Sequence, residues 1–121
     1  MTPDDRALIT AALAALDAAM ERLRPLHLEL RRVEEAHWLR RLFMAETGQP
    51  TPDAAKAAAD LLDGAANAIA GAGAAIPPEA AESAARAVTW GRRVWESNDH
   101  IAEVMGEVTV LRTQLAQLAG E

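Results

Sequence analysis

The residues with the most capacity for chemistry lie at 34 and 37, and again between 96 and 107. Glu34 and His37 stand three apart, so a helix places a carboxylate and an imidazole on one face. Glu96, His100, Glu103 and Glu107 follow at spacings of four, three and four, and these also share a helical face. Carboxylate oxygens and imidazole nitrogens are ligands for divalent transition metals. A fold that joined the two segments would offer Glu34, His37, His100 and Glu103 to a metal ion.

The same stretch supports other readings. Bundles that hold two iron or manganese ions use the E-x-x-H pair twice, and this chain has it once. If Pro25 rotates the helix, the apolar stripe runs through Leu26, Leu30, Val33, Trp38 and Leu42. His27, Glu34 and His37 then flank the stripe as solvated or salt-bridged groups. A third reading is phosphotransfer. Ala36-His37-Trp38-Leu39-Arg40 resembles the core of the histidine phosphotransfer motif, which in that family sits on a four-helix bundle of this size. The resemblance covers about five residues and implies that His37 is the phosphorylated group. Arg41 stands where that family usually has a glycine that leaves room for the partner, and Trp38 is bulky for an exposed neighbour.

The elements that must position these residues are helices. Thr2-Pro3-Asp4-Asp5 is a start signal: a capping hydroxyl, a proline for the first helical position, and acids facing the positive end of the helix dipole. Thr51-Pro52-Asp53 repeats it, and Pro78-Glu79 opens a third block. Gly48 with Pro50, Gly71 with Gly73 and Pro77, and Gly120 are the stops. The punctuation predicts helical blocks over about 3–46, 52–70 and 78–119 in one domain. Pro25 predicts a kink near Arg24.

Periodicity orients the blocks. Ile9, Leu13, Leu16, Met20 and Leu23 form one stripe, and Ala55, Ala58, Leu62, Ala65 and Ile69 form a second, Ala-lined one. Extending the first in phase puts His27, Glu34 and His37 on the seam. In the third block, Ala87, Trp90, Val94, Ser97, Ile101, Val104, Val108, Leu111, Leu115 and Leu118 alternate threes and fours. Ser97-Asn98-Asp99 could cap a break there. Because the heptad phase passes through Ser97 unchanged, the spacing predicts one long, coiled-coil-like C-terminal helix. Such a stripe is longer than the second block can cover. It therefore predicts a homodimer or higher oligomer with Trp90, Val94, Ile101, Val104, Val108, Leu111, Leu115 and Leu118 at the interface.

Composition narrows the function. The 121 residues include no Cys and no Tyr, with three Trp and one Phe. That excludes a disulfide framework, a Cys-based zinc site and a thiol nucleophile. It also argues for an all-α bundle over an all-β fold. The 29 alanines make the average buried side chain small, so helices must approach closely or recruit partners. The net charge of −6 argues against nucleic-acid or anionic-membrane binding. Six arginines gather between 22 and 45 against three acids, while residues 96–121 carry one arginine and five acids, so the two stretches could dock on one another. No secretory signal and no membrane-spanning run is present, which points to the cytoplasm. Phosphate loops, H-E-x-x-H and nucleophile elbows are missing, which argues against a conventional kinase or hydrolase. The sequence therefore predicts a non-enzymatic helical interaction protein (adaptor, assembly factor or chaperone-like) with a protein partner. It assigns no catalytic residue and no cofactor beyond a possible metal.

Overall fold

The computed structural model describes residues 2–35, 52–97 and 101–120, with side chains described at 2–28, 54–94 and 101–120. Among the described residues, all but Thr2, Ile76, Pro77 and Gly120 are helical. Helix α1 (Pro3–Glu35) starts as its sequence dictates. The Asp5 N–H donates to the Thr2 hydroxyl at 3.1 Å, and Pro3 takes the first helical position. The helix runs through Pro25 without splitting. Leu23 and Leu26, on either side of that proline, are both buried. Burying each leucine contributes about 1.5–3 kcal/mol, which offsets the roughly 3 kcal/mol that an internal proline costs.

Helix α2 (Pro52–Ala72) continues two residues past the predicted stop at Ala70 and ends in a 3-10 turn over Gly73–Ala75. Gly73 has φ 51°, a left-handed conformation that glycine adopts without a Cβ clash. Helices α3 (Pro78–Ser97) and α4 (Ile101–Ala119) follow. Gly120, at φ 81°, closes the last turn, its N–H donating to the Gln117 carbonyl at 3.2 Å.

The third block is thus two helices, not one rod. Arg86 Nε lies 2.9 Å from Glu107 Oε1, 21 residues further on. In a continuous helix those residues would be about 31 Å apart at 1.5 Å per residue. The unchanged heptad phase through Ser97 was compatible with either outcome. Ser, Asn and Asp favour caps and turns over helix interiors, and folding back lets both halves of the stripe bury against one chain.

The four helices form an up-down-up-down bundle in which each packs on the next and α4 closes on α1. Leu8 of α1 lies against Gly71 of α2, and Leu62 of α2 against Gly91 of α3. Arg86 of α3 meets Glu107 of α4, and Arg112 of α4 meets Asp17 of α1. The core divides by size. Helices α1 and α4 supply most of the large buried side chains, among them Ile9, Leu16, Leu23, Val104, Leu111 and Leu115. Helices α2 and α3 supply mainly alanines, such as Ala58, Ala65, Ala84 and Ala87. Large faces against small ones let the layers interdigitate at ordinary packing density. Among the described residues, no helix is long and apolar enough to cross a membrane.

Candidate functional site

The residues predicted to hold a metal are not assembled within the described structure. Glu34 lies on the last turn of α1, and its side chain is outside the described ones. His37 and His100 lie outside the described residues altogether, as does the phosphotransfer-like stretch 36–41. Glu103 is exposed on α4. Among the described residues, no group of three or more His, Asp or Glu could hold a metal ion. The in-phase extension that put His27 on the seam is corrected: Leu26 is buried there, and His27 is only half-buried.

The predicted interface residues also have a different neighbour from the one expected. Val94, Ile101, Val104, Val108, Leu111 and Leu115 are buried within this one chain, and Trp90 and Leu118 are partly buried against the same core. The hairpin of α3 and α4 covers the stripe, so its length no longer calls for a second chain. The expected docking of the basic stretch 22–45 on the acidic stretch 96–121 lies mostly outside the described side chains, and the best-defined contact between α1 and α4 falls outside the basic stretch. There the acid, Asp17, is on α1 and the base, Arg112, is on α4, at 2.6 Å.

What stands out on the surface is the outer face of the α3–α4 hairpin. Arg86, Trp90, Glu103, Gly106, Glu107 and Val110 line an open groove between the two helices. Val110 is 50% exposed, although its neighbour Leu111 is buried. Trp90 is partly buried, and the Arg93 guanidinium lies 4.9 Å from its ring centroid. At Gly106 a Cβ would meet nothing within 4 Å, so the groove floor is open at that step. The Arg86–Glu107 ion pair bridges the two helices across the groove.

Thr109 and Thr113 line a separate groove between α1 and α4, with Asp17, Met20 and Arg112. Thr109 Oγ1 donates to the Met105 carbonyl at 2.8 Å, and Thr113 Oγ1 donates to the Thr109 carbonyl at 3.0 Å. Both hydroxyls are spent on the backbone one turn earlier.

Arg86, Gly106 and Val110 were not singled out from the sequence. Their signal was present but faint. Val110 is a large apolar residue beside the heptad seam, and Gly106 is a helix-interior glycine without a turn to require it. Comparison of the chain with protein-family models, with curated proteins and with solved structures gave no match.

Proposed function

We propose that this chain is a non-enzymatic helical interaction protein, of the adaptor, assembly or chaperone-like kind, that works in the cytoplasm and engages protein partners through the α3–α4 hairpin. The observation that supports it is the groove between those helices, where half-exposed Val110, partly exposed Trp90 and the open step at Gly106 meet. Two helices side by side form the kind of groove that a partner helix enters with its apolar face. Single exposed apolar residues are ordinary on a protein surface; an aromatic and an aliphatic side chain beside an open glycine, rimmed by charges, form a patch.

The test compares what the tagged full chain and its Val110→Asp variant retain from native extract. The expected result is a defined set of proteins held by the parent and lost by the variant, with helical content unchanged by circular dichroism. Identical sets, or nothing above background for either chain, would overturn the reading.

A further inference from the structure

We propose that a second groove, between the start of α3 and the end of α4, receives a lysine side chain of a partner protein. It shares no residue with the groove at Val110. The inference deepens the reading of the α3–α4 hairpin as a protein-binding element, and its test does not depend on Val110.

Pro77, Glu79 and Ala80 form one wall of this groove, and Gln114, Gln117 and Leu118 form the other, around about 340 Å³. One water accounts for roughly 30 Å³, so the groove has room for a side chain. Its polar groups lack donors. Glu79 is exposed, and no base among the described residues pairs with its carboxylate. Gln114 Oε1 is buried with no hydrogen-bond partner. A buried acceptor without a donor is costly, so the site favours an occupant that donates. The terminal torsion of a glutamine is broad, so the carboxamide can turn its oxygen toward a donor in the groove.

The helix ends agree with the side chains. Helix α4 has no basic residue in its last turn to meet the partial negative charge of its final carbonyls. Helix α3 starts with Glu79 in its first turn, which offsets the positive end of that dipole. The net charge of −6 favours the approach of a cation.

Chemistry selects the occupant. An anion would face Glu79, and a purely apolar side chain would leave Gln114 Oε1 unmet. A primary ammonium brings a positive charge and three donors. Its aliphatic stem suits Pro77, Ala80 and Leu118, the apolar part of the lining. A guanidinium is also cationic, but its rigid planar fork suits the two oxygens of one carboxylate. The acceptors here stand on two walls, which suits the compact ammonium. Gln117, exposed at the rim, offers a donor and an acceptor to the peptide groups beside that lysine.

Amide NMR on the full chain, titrated with Nα-acetyl-lysine N-methylamide, tests this. The expected result is a saturable shift confined to amides within 77–82 and 114–119. The norleucine counterpart keeps the stem and lacks the charge, and it should bind more weakly by about fivefold. n-Butylamine keeps the ammonium and lacks the peptide groups, and it should also bind more weakly. Glu79→Gln should weaken the lysine compound by about fivefold at low salt. Gln114→Leu should weaken it as well, while raising the thermal midpoint, because it removes the orphaned acceptor. No saturable shift, or equal binding by the norleucine compound, overturns the proposal. Equal affinity for n-butylamine makes the ligand a free amine and overturns the protein source. Unchanged affinity in Glu79→Gln overturns the selection of a cation by that carboxylate. The extract comparison at Val110 judges the other groove separately.

Discussion

Gly91 on α3 and Gly106 on α4 both sit inside helices, but their surroundings are opposite. At Gly91 a Cβ would stand 2.7 Å from Leu62 Cδ1 and 3.8 Å from Ala59 Cα, so α2 approaches α3 into the space a side chain would fill. At Gly106 nothing lies within 4 Å. A helix-interior glycine costs roughly 0.5–1 kcal/mol relative to alanine. On the α2–α3 seam that cost is returned as close helix packing. On the exposed faces, at Gly106 of α4 as at Gly64 of α2, no neighbour in the chain offsets it. The same residue type therefore marks a closed seam in one region and an open surface in the other.

The sharpest test of that division uses adjacent residues. Leu111 is 1% exposed and Val110 is 50% exposed. Leu111→Ala should destabilise the chain by about 2–5 kcal/mol, because it leaves a cavity among packed side chains. Val110→Ala should change stability by less than about 0.5 kcal/mol. Denaturant unfolding of the two variants at low protein concentration reads the difference. Comparable losses would break the distinction between the core face and the outer face of α4.

The glycines come next in size. Gly91→Val should cost about 1–3 kcal/mol, because Leu62 is buried and has little room to turn away from the added methyls. Gly106→Ala should instead stabilise the isolated chain by about 0.5–1 kcal/mol, since alanine is the better helix former and meets no neighbour. The thermal midpoint should fall for the first and rise by a few degrees for the second. A destabilising Gly106→Ala would show that something within the chain occupies the groove.

Much of the helical content was legible in the sequence because capping and periodicity are local. Thr2, Pro3, Pro52, Pro78 and Gly120 each act where the residue type implied. The buried stripe of α2, Ala55 to Ile69, was read residue by residue. The division of the third block into two helices was signalled at Ser97-Asn98-Asp99 but outweighed, because a heptad phase that continues from one helix into the next is indistinguishable in one dimension from a continuous helix. Folding back was decided by long-range burial, which spacing alone does not encode. The groove was missed for the same reason. Arg86 and Glu107 are 21 residues apart in sequence and meet only once the hairpin has formed. The His37 readings fall outside the described residues, so the fold neither joins nor separates their ligands.

The smallest expected effects come from two exposed ion pairs, and they sharpen the comparison in another way. Arg112 Nε lies 2.6 Å from Asp17 Oδ1 in the groove between α1 and α4, with 43% and 53% of the two side chains exposed. Arg86 and Glu107 bridge the α3–α4 face at 2.9 Å, with Glu107 at 23% exposure. Exposed pairs contribute about 0.2–1 kcal/mol, and salt screens them. Arg112→Ala should therefore lower the thermal midpoint slightly, by an amount that shrinks as salt is added and does not change with protein concentration. Arg86→Ala should cost a similar amount in dilute solution. If Arg86→Ala costs clearly more than Arg112→Ala and resists salt better, the lower exposure of Glu107 separates the α3–α4 pair from the α1–α4 pair.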